Sequence, residues 1–192
     1  MAERGPFVSR SGQKLAHAID AFGIDPKGWK CADFGCNAGG FTDCLLQRGA
    51  SSVIAIDTGY GMLDWRLRND PRVEVRERTN ALHAPIPPEK VDLVVLDMAW
   101  TPQRIAIPVA LRWLAPAGRI ITLIKPHYEA IDGERAALVK GVLPSEVATS
   151  VVARVIAAMP TLGARVLADA VSPLFGGSGN AEHLALLAPL KT

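Results

Sequence analysis

Four charged residues in this chain stand where apolar runs stop: Asp33, Asp57, Asp97 and Lys125. The carboxyl ends of parallel strands share one edge of a doubly wound sheet, and such sheets bind ligands at that edge. A single acid after a strand is often only a helix cap. The repeated placement of charge predicts instead that these side chains form an enzyme site.

The stretch around Asp33 has the form of a buried strand, a glycine-rich turn and the start of a helix. Glycine lets a ligand approach the backbone closely, and a helix N-terminus favours negative charge. A dinucleotide turn needs G-x-G-x-x-G, whereas this turn has an aspartate followed by G-x-x-x-G-G. That pattern is closer to S-adenosylmethionine (SAM) methyltransferases, although a capping loop without a ligand stays open. The candidate cofactor-binding residues of the turn are Asp33, Gly35, Asn37, Gly39, Gly40 and Phe41.

Two later positions fit the rest of a nucleoside. Asp57 follows the apolar run 52–56 and lies about twenty residues beyond the turn, where a carboxylate suits a ribose diol. NAD and SAM both carry that ribose, so Asp57 does not choose between them, and it could instead cap the segment after Gly61. Asn80, after a short third strand, is a candidate for the adenine pocket, with a plain polar loop as the alternative.

The apolar patterns predict the elements that carry these residues. Residues 9–22 form an amphipathic helix with Ser9 or Ser11 as its cap, and Lys14 lies one turn beyond Arg10. The run 91–96 is a strand buried on both faces, and therefore parallel. Residues 115–118 form a turn, 119–124 a fifth strand, 127–144 a polar loop, 145–159 a helix, and 164–168 and 182–187 a terminal hairpin. We expect a single domain over residues 1–192, with the helix 9–22 packed on it.

Composition excludes few functions. The chain has 192 residues, 49% of them hydrophobic, with a net charge of +2 and a pI near 8.5, so any basic surface for nucleic acid must be local. Cys31, Cys36 and Cys44 lack zinc-site spacing, so we expect free thiols in a reducing compartment. Neither a signal peptide nor an apolar run of transmembrane length is apparent. These features predict a cytoplasmic protein without a membrane partner.

The charged residues suggest alkyl transfer to oxygen. A ribose hydroxyl is a poor nucleophile, so it needs a base or a field that stabilises the forming alkoxide. Lys125 suits the base if burial and a second cation such as Lys14 disfavour its protonated form. Asp97 and Glu182 would then hold this lysine and orient the substrate. A purely structural charge cluster is the alternative.

Several segments resemble the FtsJ-like ribose methyltransferases, particularly their TlyA (haemolysin-A-like) branch. They occur in the family's order and span nearly the whole chain: Val8 to Leu15, Asp33 to Gly49, Glu77 to Asn80, Leu123 to Ala130, and Gly179 to Glu182. The resemblance implies a Rossmann-like SAM methyltransferase fold, a mostly parallel seven-stranded sheet with a terminal antiparallel hairpin and helices on both faces. It also implies methylation of the ribose 2′-hydroxyl of RNA, on ribosomal RNA or a ribosomal particle.

The family's site residues transfer to matching positions. The resemblance implies a Lys-Asp-Lys-Glu tetrad at Lys14, Asp97, Lys125 and Glu182. It also implies SAM contacts at Asp33, Gly35, Asp57 and Asn80, and Asp97 is a further candidate for binding the cofactor. The cysteine spacing suggests no metal site.

The chain departs from the family in three places. It starts directly at the methyltransferase rather than at a small RNA-binding module. Cys36-Asn37 and Met98-Ala99-Trp100 replace the usual residues of their motifs. RNA affinity would then come from a partner or from basic residues of this domain, namely Arg4, Arg10, Arg66, Arg68, Arg135 and Lys140. A small-molecule O-methyltransferase and a non-catalytic RNA-binding or membrane-active protein remain as alternatives.

Overall fold

Seven strands form one mixed sheet in the order β3-β2-β1-β4-β5-β7-β6 in the computed structural model, which describes residues 5–190. β1 to β5 run parallel, and β7 lies antiparallel between β5 and β6. This arrangement confirms the expected Rossmann-like sheet with its terminal hairpin. The strands are β1 Lys30–Phe34, β2 Ser52–Ile56, β3 Val73–Arg76, β4 Val91–Leu96, β5 Leu114–Ile124, β6 Ala164–Val171 and β7 His183–Pro189.

Helices cover both faces of the sheet. They are α1 Ser11–Phe22, α2 Gly40–Gln47, α3 Trp65–Arg68, α4 Gln103–Leu111, α5 Pro126–Glu129, α6 Asp132–Arg135 and α7 Ser145–Ala158, the last followed by a 3₁₀ turn over Met159–Leu162. The strand order reverses between β1 and β4, and this switch point is where an open sheet leaves a crevice at its carboxyl edge.

Alternate residues of the central strands enter two separate core layers. Phe34 and Leu96 face a layer that contains Trp113, while Leu93 and Val95 face the layer under α1 and α2. Strands buried on both faces explain the continuous apolar runs in the sequence. The switch point therefore lies between two packed core layers.

The start of α1 differs from the sequence prediction. The helix begins at Ser11, its N-cap residue is Arg10, and no side chain caps it. The hydroxyls of Ser9 and Ser11 lie 2.7 Å apart and bond each other instead of the helix. The predicted cap is therefore wrong, although Leu15, Ala18 and Ile19 are buried as the periodicity indicated.

Two other segments also differ from the prediction. The expected turn 115–118 lies within β5, because Leu114 pairs with Val91 while Arg119 pairs with Leu93, so the intervening residues bulge out of the ladder. The predicted polar loop 127–144 contains the short helices α5 and α6 and a bridge between Val139 and Val142.

The expectation that no apolar run reaches transmembrane length also needs correction. By length and composition alone, the helical stretch Ser145–Leu162 would suffice to cross a membrane. Val151, Val155 and Met159 of this stretch pack into the core layer around Trp113. The cysteines are free and buried, and burial raises the pKa of Cys44 to about 12.

Candidate active site

Two adjoining cavities open at the carboxyl edge of the sheet. The wide cavity has a volume of about 420 Å³, within the usual range for small-molecule sites. It extends along the ends of β1, β2 and β4, and its lining includes Gly35, Asn37, Asp57, Met62, Asn80, Asp97, Trp100 and Lys125.

The second, charged cavity has a volume of about 310 Å³ and contains all four residues of the expected tetrad, Lys14, Asp97, Lys125 and Glu182. These side chains come from α1, the end of β4, the end of β5 and the residue before β7. Asp97 and Lys125 line both cavities, so the two spaces meet at that pair. The structure thus brings together four residues that are far apart along the chain.

The four charges form two ion pairs. Lys125 Nζ lies 2.6 Å from Asp97 Oδ1, and Lys14 pairs with Glu182. Glu182 therefore holds Lys14, not Lys125 as expected from the sequence. The Lys14 and Glu182 side chains are only 7% and 4% exposed, so each needs the other to offset the cost of burying a charge.

Gly35 lets the ends of β1 and β4 come together at Asp97. Its φ of +87° is a conformation that favours glycine, and a Cβ there would lie 2.8 Å from the Asp97 carbonyl oxygen. The Asp97 N–H also donates to the Phe34 carbonyl at 3.1 Å. The close packing of β1 against β4 therefore requires glycine at position 35, whether or not a ligand binds there.

Asp33 is a fully buried carboxylate on the wall of the charged cavity. Its Oδ2 accepts from the Thr42 N–H at 3.0 Å and from the Thr42 hydroxyl at 2.7 Å. Its Oδ1 has no hydrogen-bond partner within residues 5–190, and burial raises its pKa to about 7. A buried, half-satisfied carboxylate beside a cavity fits the ammonium of an amino-acid tail.

Asp57 and Asn80 both line the wide cavity, where the ribose and base were expected. Asp57 Oδ1 accepts from the Gly59 N–H at 2.7 Å, and its Oδ2 accepts from the Asn37 N–H at 2.9 Å. Asn37 has a φ of +47°, which asparagine tolerates better than most residues. Asn80 is exposed, and its Oδ1 accepts from the Leu82 N–H at 3.0 Å.

Gly39 and Gly40 line neither of the two cavities. A Cβ on Gly39 would lie 2.3 Å from Leu67 Cδ1, and one on Gly40 would lie 2.8 Å from the Gly12 backbone nitrogen. The protein itself occupies the space that was expected to admit a ligand. Phe41, the next residue, does line the charged cavity.

Sequence reasoning gave no role to Trp100, which lines the wide cavity, or to Tyr128 beside it. Trp100 is 79% exposed and has a φ of +60°, and its ring centroid lies 4.6 Å from that of Tyr128. Lys125 Nζ lies 5.9 Å from the Tyr128 ring. The sequence did show that Trp100, three residues after Asp97, differs from the residue that is usual at this position of the family motif, and this difference could have drawn attention to it.

The basic residues suggested for RNA have different surroundings. Arg66 pairs with Asp64, and Arg68 pairs with Glu77, so part of their charge is neutralised. Arg10 is exposed on the wall of the charged cavity. Arg135 lines a separate cavity near α7, Lys140 lies in the Val139–Val142 turn, and Arg4 lies outside the described residues.

Comparison with known proteins gives a consistent result. Residues 7–184 match the model of the FtsJ-like methyltransferase family. A 16S/23S rRNA (cytidine-2′-O)-methyltransferase, TlyA of Mycobacterium tuberculosis, is 41% identical over 187 residues, which cover 94% of this chain and 68% of that protein. Hemolysin A of Brachyspira hyodysenteriae is 34% identical over 189 residues, covering 93% of this chain and 75% of its own.

A solved structure described as a candidate hemolysin from Streptococcus thermophilus superposes with a TM-score of 0.92. It is 31% identical and covers 100% of this chain and 70% of its own. The sheet order, the crevice at its switch point and the match over residues 7–184 agree with one another. The chain belongs to the FtsJ-like methyltransferase family and is a SAM-dependent methyltransferase.

Proposed function

We propose that this enzyme methylates the ribose 2′-hydroxyl of RNA, and that its substrate is ribosomal RNA or a ribosomal particle. The observation that supports this proposal is the meeting of two ion pairs in the charged cavity, directly beside the wide cavity. The name of the M. tuberculosis relative, an rRNA (cytidine-2′-O)-methyltransferase, agrees with it.

The residues on the cavity walls fit SAM. Asp33 would bind the ammonium of its amino-acid tail through Oδ1, which has no partner in the described chain and would become accessible when the cavity wall shifts around the ligand. Asp57 would accept from the ribose hydroxyls, since each of its oxygens has a second lone pair to offer. Asn80 and the neighbouring backbone would contact the base at the far end of the wide cavity.

When bound, SAM supplies an electrophilic methyl group: the 2′-oxygen would gain the methyl and give its proton to water, while the donor leaves as a neutral thioether. The Lys125 side chain would stabilise the negative charge that develops on that oxygen. Asp97, whose Oδ1 lies 2.6 Å from Lys125 Nζ, would fix the orientation of the lysine. The buried Lys14–Glu182 pair lines the same cavity and would orient the hydroxyl.

Two exposed groups favour RNA over a small alcohol. Arg10 presents its guanidinium at the charged cavity, where a phosphate next to the target ribose would pass. Trp100 presents an exposed ring on the lining of the wide cavity, and single-stranded RNA is commonly bound by stacking on aromatic side chains.

The test is methyl transfer from labelled SAM to ribosomal subunits and to naked rRNA. We expect Lys125→Ala to lower the rate by about 100-fold or more, because it removes a charge that acts mainly in the transition state. The matched control is the Lys27→Ala variant. Because Lys27 is exposed, this variant should keep the wild-type rate. Unchanged incorporation by Lys125→Ala would remove Lys125 from the mechanism.

Mapping 2′-O-methyl groups in RNA from cells with and without the gene identifies the substrate. A ribose that loses its methyl group only in the deletion strain, and regains it with the wild-type but not the Lys125→Ala gene, supports the proposal. Unaltered RNA, together with transfer to a small alcohol, would favour the small-molecule O-methyltransferase.

A further inference from the structure

Gln103, the first residue of α4, is a buried amide between this helix and β5. Its Oε1 accepts from the Thr122 hydroxyl at 2.7 Å, and its Nε2 donates to the Leu123 carbonyl at 3.3 Å. Both partners belong to the strand whose end carries Lys125. The amide thus joins the start of α4 to the strand just before Lys125.

Glu129, the last residue of α5, joins the same helix start to the segment after Lys125. Its Oε1 accepts from the Gln103 N–H at 2.7 Å. Pro102, the N-cap residue of α4, provides no side-chain bond, so the cap comes from α5. Arg154 of α7 donates to the Glu129 carbonyl at 3.0 Å and holds its backbone as well.

These bonds enclose the Lys125–Asp97 pair. Asp97 and Gln103 are the two ends of one loop, in which Trp100 has a left-handed backbone conformation and regular structure is absent. Lys125 lies between Leu123 and Glu129, and both of these residues are bonded to Gln103. Movement of the α4 start would therefore move Asp97 and Lys125 relative to each other.

We propose that Gln103 and Glu129 are positioning residues that keep Lys125 at hydrogen-bond distance from Asp97. Neither residue lines the wide or the charged cavity, so neither touches the substrate or cofactor there. A misplacement of about 1 Å in an active site can cost 10²-fold in rate. The expected effect on turnover rests on the proposed role of Lys125, while the effect on the ion pair does not.

The experiment compares Glu129→Ala, Glu129→Gln and Gln103→Leu. We expect Glu129→Ala and Gln103→Leu to lower kcat by about 10- to 100-fold at saturating RNA, with KM and the Kd for SAM changed less than about threefold. Glu129→Gln keeps an acceptor of the same length, so it should recover most of the rate. Gln47→Leu is the matched control, because the exposed Gln47 amide also bonds a carbonyl and a side chain, those of Pro6 and Asp43.

A second readout needs no RNA. Brief acetylation by acetic anhydride, quantified by mass spectrometry, reports the reactivity of each lysine in the folded protein. Lys125 should label several-fold faster in Glu129→Ala and Gln103→Leu than in the wild type, and the exposed Lys27 should label equally in all of them.

The outcomes separate the possibilities. Low kcat with unchanged Lys125 labelling in folded variants would overturn the positioning role, as would a Glu129→Gln enzyme as slow as Glu129→Ala. Wild-type protein that methylates no RNA, but shows the expected labelling differences, would contradict the proposed function and leave the positioning role supported.

Discussion

The charged residues of the site act as two pairs rather than as four independent groups. Lys125 and Asp97 follow adjacent strands, so their meeting follows from the sheet order. Lys14 and Glu182 are separated by 168 positions, and their contact depends on how α1 docks beside β7. The residue types were readable in the sequence, but which lysine pairs with which acid was not, because pairing depends on distances between elements.

Asp33 predicts a pH-dependent affinity for SAM. Its pKa is raised to about 7 by burial, so below that pH its carboxyl is mostly neutral and attracts an ammonium weakly. Affinity should therefore rise as pH increases from about 6 to about 7.5, by up to tenfold per pH unit below the pKa of Asp33, until the ammonium of SAM itself starts to lose its proton near pH 8. Titration calorimetry across this range measures the effect.

The control for this prediction is Asp33→Asn, which keeps the shape and cannot ionise. It should bind SAM more weakly at about pH 7.5 and show little of the pH dependence. The free energy of unfolding gives a second check: since the folded-state pKa is raised, wild-type stability should fall as pH rises from the unfolded value toward 7, and then level off. An equal pH dependence of SAM binding in Asp33→Asn would assign the effect to another group.

At the scale of elements, the contact between the starts of α1 and α2 places Lys14. Gly40 opens α2, and the Ser9 and Ser11 hydroxyls and the Gly12 backbone nitrogen occupy the space where its Cβ would be. α1 therefore lies close enough for Lys14, one turn further along, to reach Glu182. Gly40, which the sequence suggested as part of a ligand-binding turn, therefore allows α1 to pack closely against α2.

Gly40→Ala should accordingly destabilise the protein, by about 1–3 kcal/mol, although alanine normally favours a helix. The serine side chains can rotate away, but the Gly12 nitrogen at 2.8 Å can yield only if α1 moves. We expect methyl transfer to fall together with the melting temperature. Gly133→Ala in α6 is the control, since nothing lies within 4 Å of its added Cβ, and it should lower neither quantity. Wild-type stability in Gly40→Ala would show that α1 tolerates the shift.

Periodicity and strand-end charges were sufficient to predict most elements of this fold. The parallel strands, α1, α7 and the terminal hairpin were predicted within a few residues of their bounds. The segment 127–144 was missed because α5 and α6 have four residues each, too short to show a helical repeat. The bulge within β5 was taken for a turn because its Ala-Pro-Ala-Gly sequence suits both.

On the scale of the whole molecule, RNA affinity must come from local charge, since the net charge is only +2. Many arginines outside the wide and charged cavities are already paired with acids, including Arg48, Arg66, Arg68, Arg72, Arg76 and Arg154. Arg10 has no carboxylate partner in the described part of the chain and lies beside the tetrad. The sequence showed how many charges there are, whereas the structure shows which of them are neutralised.

RNA binding should therefore depend on salt, and Arg10 should account for a measurable part of that dependence. We expect Arg10→Ala to reduce the slope of log K against log salt by about 1, as loss of one phosphate contact does. Arg112, the C-cap residue of α4, lines neither the wide nor the charged cavity, so Arg112→Ala should keep the wild-type slope. Fluorescence anisotropy with an rRNA fragment measures the salt dependence of both variants. An affinity for RNA that does not change with salt concentration would favour a small-molecule substrate.

The inner position of β7 affects the order in which this enzyme becomes active during its synthesis. A nascent chain that has emerged from the ribosome only as far as β6 has neither Glu182 nor the strand that separates β5 from β6. The β5 edge is then open to mispairing with other chains, and the Lys14 ammonium would have to be buried without its counter-ion. If the tetrad acts as proposed, methyl transfer would begin only after β7 is inserted, because Glu182 completes the charged cavity.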